Sequence, residues 1–153
     1  MTKRLKTEIG WVVLAAALIF LHSAMPADLS GAESGFFVRW LRGALAAAGL
    51  GVDGGLLTLI VRKTAHFVEF AFLGFCLGRL LRDAPGGPGR RSPMLRAALA
   101  WCCGAVYAVT DELHQLFVAG RSCEMRDVAV DCAGVLCGVV LTLALAQLSR
   151  DKK

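Results

Sequence analysis

Four apolar segments dominate this sequence, and each is long enough to cross a lipid bilayer as a helix. They cover about residues 9–25, 64–81, 95–118 and 127–148. The hydrocarbon core of a bilayer requires roughly 17 to 25 residues of apolar helix. Because backbone polar groups have no water partners in lipid, each segment is predicted to be helical. The chain is therefore predicted to be all-α, an integral membrane bundle of four transmembrane helices.

The composition excludes most other classes of protein. The 153 residues are 56% hydrophobic and only 19% charged, which is too apolar for a water-soluble enzyme and too poor in charge for a disordered chain. The length suits one membrane domain over residues 1–153. The net charge of +5 does not indicate a nucleic-acid partner, because the Lys and Arg residues lie at the ends of the apolar segments, where they orient helices in a membrane.

The stretch between the first two spans has a different pattern. Residues 36–50 place aromatic and aliphatic side chains on one helical face and two arginines elsewhere, which is typical of a short helix lying in the membrane interface. Residues 56–61 are then expected to lead into the second span as a docking segment or an extra turn. Residues 83–93 are rich in Gly and Pro and are predicted to form a flexible connection.

The distribution of positive charge predicts the orientation. Eleven of the 17 Lys and Arg residues lie at the amino terminus, around the connection between the second and third spans, or in the tail. Since Lys and Arg are retained on the cytoplasmic side, both termini are predicted to be cytoplasmic in a multi-pass protein of the bacterial cytoplasmic (inner) membrane. In an alternative interpretation, residues 1–27 are a cleaved signal peptide, which would leave three spans.

Ionisable residues gather at the predicted external ends of three spans. A charged side chain inside a span costs roughly 2.5 to 3.5 kcal/mol, so such residues usually face a bundle interior or a wet cavity. Those of this chain are Arg62, Lys63, His66 and Glu69 in the second span or just before it, Asp111, Glu112 and His114 in the third, Arg121 in the loop, and Arg126, Asp127 and Asp131 at the fourth. A single polar cluster is predicted at this end.

Helical spacing places several of these residues on shared faces. Asp127, Asp131, Gly134 and Gly138 follow one another at steps of four, three and four residues. The two glycines would let a neighbouring helix approach along the stripe that carries the carboxylates. Asp111 and Glu112 end a helix, where the macrodipole opposes a negative charge, and Arg121 is the best candidate for their partner because its planar guanidinium binds carboxylates or phosphates bidentately.

The ordered set of polar motifs resembles a known family. The motifs are His66-Phe67 with Glu69-Phe70, Asp111-Glu112 with Gln115-Leu116-Phe117, Gly120-Arg121-Ser122, and Arg126-Asp127 with Gly134. Over about residues 60–140 they resemble the VanZ-like family of small bacterial membrane proteins. The resemblance implies a role in the cell envelope and a link to low-level resistance to the glycopeptide antibiotic teicoplanin. Many members carry Asn where this chain has Asp131.

One functional interpretation is a site for an anionic lipid or a lipid-linked envelope precursor at the outer leaflet. The residues expected to bind the substrate are Lys63, Arg121, Arg126 and Asp131. The residues expected to support catalysis, with a histidine beside a carboxylate as general base, are His66, Glu69, Asp111, Glu112, Gln115 and Asp127. This interpretation predicts that Arg121→Ala or Asp127→Ala abolishes function and leaves membrane insertion intact.

Two other interpretations stay open. The cluster is also compatible with a buried polar network that only fixes helix packing, or with a proton or ion relay. The possible metal ligands are His66, Glu69, Glu112 and His114, but their HxxE and ExH spacings match no well-attested zinc motif. No metal and no cofactor are therefore expected.

Overall fold

The computed structural model describes residues 2–83 and 92–151, and every secondary-structure element among them is a helix. The five helices are α1 (Lys3–Ser23), α2 (Ala27–Ala47), α3 (Gly54–Asp83), α4 (Pro93–Gln115) and α5 (Met125–Asp151). All but α2 are long and apolar enough to cross a membrane. The prediction of an all-α membrane bundle with four spans and a helix between the first and second is thus confirmed.

The helix ends differ from the predicted ones for local reasons. The segment 56–61 is not a separate docking segment, because α3 already begins at Gly54, where Asp53 Oδ1 accepts a hydrogen bond from the Leu56 backbone N–H at 2.9 Å. The helix α2 begins nine residues earlier than predicted, at Ala27. Most of the predicted flexible connection, residues 84–91, lies outside the described residues, as do residues 152–153 of the basic tail.

Glycines allow α3 and α5 to pack at very short range, as the stripe on α5 predicted. A Cβ atom on Gly134 would lie 2.5 Å from the carbonyl oxygen of Phe67. A Cβ on Gly138 would overlap the carbonyl oxygen of Ala71, and one on Gly74 of α3 would overlap that of Val135. The two backbones are therefore in direct contact, and this contact holds the first turns of α5 against the middle of α3.

Elsewhere in the bundle, some apolar side chains pack in the interior and others point outward. Phe70 and Val135 are fully buried between the helices. Aliphatic side chains such as Leu21 and Val106 point outward and are more than half exposed, as expected of surfaces that contact lipid. At the end of the bundle opposite the polar cluster, Glu8 of α1 is buried and accepts a hydrogen bond at 2.5 Å from Arg79 of α3.

Candidate functional site

The polar residues meet at one end of the bundle, where α1 and α4 end and α5 begins. They surround a cleft of about 130 Å³, which has room for a few water molecules or a group the size of a phosphate. The polar side chains that line it are Arg62, Lys63, His66, Gln115, Arg121, Ser122, Glu124, Asp127 and Asp131. The second, third and fourth spans and the loop after α4 all contribute to this surface, as the sequence predicted.

Arg62 and Lys63, two neighbouring basic residues of α3 that line the cleft, differ in their partners. Lys63 forms an ion pair with Asp127 across the α3–α5 contact. Asp127 lies in the first turn of α5, where the helix dipole also favours a carboxylate. Arg62, one residue before Lys63, is half-buried and has no hydrogen bond or ion pair with any other described residue. The charge of Arg62 is therefore available to a ligand.

Arg121 binds the end of α1 rather than a carboxylate. Its Nε donates to the carbonyl oxygen of Met25 at 3.0 Å, and its Nη2 donates to that of His22 at 3.2 Å. Its Nη1 donates to Gln115 Oε1 at 3.4 Å. Burial lowers the pKa of Arg121 from its usual value, and the positive charge of Arg62 lowers it further. The carbonyls that end α1 take most of the donors of Arg121, so among the described residues it forms no ion pair with the expected partners Asp111 and Glu112, which act on it through their charge alone.

Asp111 links the end of α4 to the end of α1. Its Oδ2 accepts hydrogen bonds from Ser23 Oγ at 2.7 Å and from Gln115 Nε2 at 3.3 Å. Because Gln115 also contacts Arg121, one continuous set of hydrogen bonds joins α1, α4 and the following loop. Asp111 is 3% exposed, and its Oδ1 is buried without a hydrogen-bond partner among the described residues.

Glu112 has a position that suits a structural role. Its Oε1 accepts a hydrogen bond at 2.7 Å from the backbone N–H of Glu124, the residue immediately before α5. Glu112 is buried and does not line the cleft. The carboxylate therefore ties the end of α4 to the start of α5 and sets where α5 begins.

Two histidines and Glu69 lie side by side between α1 and α3. His22 Nδ1 and Glu69 Oε1 are 2.7 Å apart, in a hydrogen-bonded pair. The rings of His22 and His66 are nearly parallel, with centroids 6.1 Å apart. Of these three side chains only His66 lines the cleft, and Glu69 is hydrogen-bonded to His22 rather than to its helix neighbour His66.

Asp131 is a fully buried carboxylate at this end of the bundle. It is 1% exposed, as Glu112 is, and neither of its oxygens has a hydrogen-bond partner among the described residues. The Nδ1 atom of His66 lies 3.8 Å from Asp131 Oδ1. One potential ligand atom each from His66, Asp111 and Asp131 lie within 4.8 Å of one another. These three residues could hold a metal ion.

One known protein family matches most of this sequence. The sequence model of one family, described as VanZ/LLP1, matches residues 9–146, which is most of the chain. The chain belongs to the VanZ/LLP1 family. This confirms the resemblance drawn from the polar motifs. No curated protein and no solved structure matches the chain.

In this VanZ-family protein, Arg126 and His114, like Glu69, Asp111 and Glu112, do not line the cleft. Arg126 is exposed at the start of α5 and is not part of the cleft lining. His114 stacks on Phe20 of α1 with ring centroids 4.6 Å apart. Neither His114 nor Glu112 therefore joins His66 in the metal-ligand set that the sequence suggested.

The VanZ-family site also includes residues that the predicted set left out. His22 and Ser23 contribute because α1 ends beside the cluster and its last turn contacts α3 and α4. The only sequence signal for His22 was its depth near the outer end of the first span. Arg62 was part of the predicted polar cluster but not of the predicted binding residues, and its role as a cleft residue without a partner depends on the packing of α3 against the loop.

Proposed function

We propose that this VanZ-family membrane protein binds the anionic, phosphate-bearing headgroup of a membrane lipid or of a lipid-linked envelope precursor in the cleft between α3 and the loop after α4. The observation that carries the proposal is the pair of arginines that border the cleft. Arg62 has no partner among the described residues, and Arg121 is bound to neutral oxygens. Two guanidinium groups at one small cleft form a typical phosphate-binding arrangement.

The charges around the cleft support an anion rather than a cation at its mouth. The ion pair between Lys63 and Asp127 is neutral as a whole. The carbonyl and amide oxygens that contact Arg121 satisfy its donors but do not cancel its charge. Burial is the main cause of the lowered pKa of Arg121, and the positive charge of Arg62 lowers it further, while Asp111, Glu112 and Glu69 act in the opposite direction. A phosphate oxygen placed between the two arginines would remove the repulsion.

The position of the cleft suits a headgroup. It lies at the ends of the spans, and the adjacent helix α2 exposes Phe36, Phe37 and Trp40, which are side chains typical of a membrane interface. A lipid could therefore keep its chains in the bilayer while its phosphate enters the cleft. With both termini cytoplasmic, this end faces the outer leaflet, where envelope precursors are used. A peptidoglycan precursor in the cleft would account for the family's link to glycopeptide resistance.

The test is a binding measurement on the full chain, purified in a non-ionic detergent. Thermal melting is recorded with undecaprenyl phosphate, phosphatidylglycerol, inorganic phosphate or phosphatidylcholine. A ligand that binds only the folded chain raises the melting temperature. We expect a shift with the first two lipids, and a dissociation constant about ten-fold weaker in Arg62→Ala, which corresponds to about 1.4 kcal/mol. A shift with free phosphate alone would assign the cleft to a soluble anion.

The matched control is Arg39→Ala, which removes an exposed arginine of α2 that does not line the cleft. This variant lowers the net charge by the same amount as Arg62→Ala, so it measures non-specific attraction to anionic micelles. Equal losses in the two variants would refute the proposal. No parent shift with any anionic lipid would also refute it.

A purely structural function is the second candidate, and a specific observation favours it. Arg121, Glu112 and Asp111 use their hydrogen bonds to join α1, α4 and α5. The two candidate functions predict different effects of replacing Arg62, which takes no part in these hydrogen bonds. If the cluster only holds helices together, Arg62→Ala does not change the affinity for anionic lipid; under the proposal that affinity falls about ten-fold.

A further inference from the structure

A second site lies deeper than the cleft, where three spans each contribute one potential metal ligand. His66 comes from α3, Asp111 from α4 and Asp131 from α5, and their ligand atoms lie within 4.8 Å of one another. Since the distance between two ligand atoms bound to one cation is set by bonds of roughly 2.0 to 2.2 Å, small rotations of these side chains suffice to coordinate a shared ion. We propose that His66, Asp111 and Asp131 bind a divalent transition-metal cation such as Zn²⁺ or Mn²⁺.

The unmet bonding capacity of the two aspartates is the first argument. Asp131 is 1% exposed, and both of its oxygens lack hydrogen-bond partners among the described residues. Asp111 is 3% exposed and keeps one oxygen, Oδ1, without a partner there. Buried carboxylates are normally paired, hydrogen-bonded or bound to a metal, because an isolated buried charge is very costly. These three oxygens and one imidazole nitrogen therefore form a donor set that a cation would satisfy.

The neighbouring carboxylates show that Asp131 is the exception at this end of the bundle. Glu69 is paired with His22, and Glu112 accepts the N–H of Glu124. Asp127 is paired with Lys63. Each of these side chains has a protein partner that balances or solvates it, whereas Asp131 has the ring of His66 at 3.8 Å and no hydrogen bond. Among the described residues, no Lys or Arg forms an ion pair with Asp131.

The ligand chemistry indicates the class of ion. One imidazole nitrogen with two carboxylate oxygens suits Zn²⁺ or Mn²⁺ better than Ca²⁺ or Mg²⁺, which prefer sites built from oxygen alone. Three protein ligands leave at least one coordination position open. Because His66 and Asp131 also line the cleft, the open position would face the cleft. The inference does not depend on the proposed lipid function, since the three ligands would hold the ion with an empty cleft.

The experiment is a titration of the full purified chain with Mn²⁺, followed by the electron paramagnetic resonance signal of free Mn²⁺. This readout is insensitive to the six cysteines, which would complicate a Co²⁺ spectrum. We expect one Mn²⁺ per chain, released by Zn²⁺, and a rise in the melting temperature on binding. Asp131→Asn and His66→Gln should each weaken binding by at least about ten-fold, because each removes one ligand.

The control is Asp151→Asn, which removes an exposed carboxylate near the end of α5 that does not line the cleft. Binding equal to the parent's is expected for this variant. The proposal is overturned if the parent takes up no Mn²⁺ or Zn²⁺ at sub-millimolar concentrations, or if Asp131→Asn binds as the parent does. If the parent does not bind metal and Asp131→Asn melts higher, the buried Asp131 carboxyl only destabilises the bundle and the proposal is overturned. If Asp131→Asn fails to fold, the metal titrations of His66→Gln and of the parent still test the proposed site.

Discussion

Replacement of Arg121 by alanine should lower the stability of the bundle measurably. Its side chain makes hydrogen bonds of 3.0 and 3.2 Å to the carbonyl oxygens of Met25 and His22. Hydrogen bonds that involve a charged group contribute about 1.5 kcal/mol each at the lower end of their range. The third bond, to Gln115, is 3.4 Å long and adds little. We therefore expect a loss of about 3 kcal/mol, falling to about 2 kcal/mol if water reaches the exposed carbonyls.

The assay is reversible unfolding in mixed micelles, with increasing mole fraction of sodium dodecyl sulfate and helix content as the readout. Arg121→Lys keeps the charge, but one ammonium group cannot reach three acceptors in the directions that the planar guanidinium serves. This variant should recover less than half of the lost stability. Arg62→Ala removes an arginine without protein partners among the described residues and should stay within about 0.5 kcal/mol of the parent.

Two results would refute this reasoning. If Arg121→Ala unfolds within about 0.5 kcal/mol of the parent, the contacts with the end of α1 do not stabilise the bundle. If Arg121→Lys restores the parent's stability completely, charge alone matters and the geometry of the three bonds does not. The expected loss also changes the meaning of an inactive Arg121→Ala protein, since function and packing would fail together.

Three further predictions concern packing, orientation and the limits of the cleft. Gly138→Leu should prevent accumulation of the folded protein, because its Cβ would overlap the carbonyl oxygen of Ala71. Gly10→Ala should be neutral, because a Cβ there meets nothing within 4 Å. Quantitative blots of membranes measure the amount of each variant. Cys123, half-buried in the loop before α5, should react with a membrane-impermeant maleimide in intact spheroplasts. Labelling that occurs only after lysis would show that the orientation is opposite to the predicted one. Arg126→Ala should change the affinity for undecaprenyl phosphate less than about two-fold; a ten-fold loss would place Arg126 in the binding surface.

The sequence carried enough information for the spans and for the closest helix contact. Long apolar segments determine the spans, and the period of Gly134 and Gly138 identifies the face of α5 that meets α3. The hydrogen-bond partners of Arg121 could not be predicted from the sequence. A charge pattern suggests opposite charges as partners, but the oxygens that Arg121 binds are backbone carbonyls, which every residue has and no sequence pattern marks.

The contribution of α1 was hidden for a related reason. His22 and Ser23 belong to a span that carries no other ionisable residue near its outer end, so no periodic stripe singled them out. Their roles come from the crossing of α1 against α3 and α4, which places His22 beside Glu69 and Ser23 beside Asp111. Helix crossing depends on the packing of whole faces, and helical periodicity within one segment does not determine it.

The arrangement of charge with depth connects the two proposals. Arg62 and Arg121 line the cleft, and both oxygens of the buried Asp131 carboxyl, which also borders it, lack hydrogen-bond partners among the described residues. A cation held by Asp131 would neutralise the deeper charge and present its open position to the phosphate held by the arginines, since His66 and Asp131 border both places. If both ligands bind, each must then raise the affinity for the other by the same factor, because coupling between two sites is reciprocal. A chain that binds Mn²⁺ equally well with and without undecaprenyl phosphate would place the two ligands in separate, uncoupled sites.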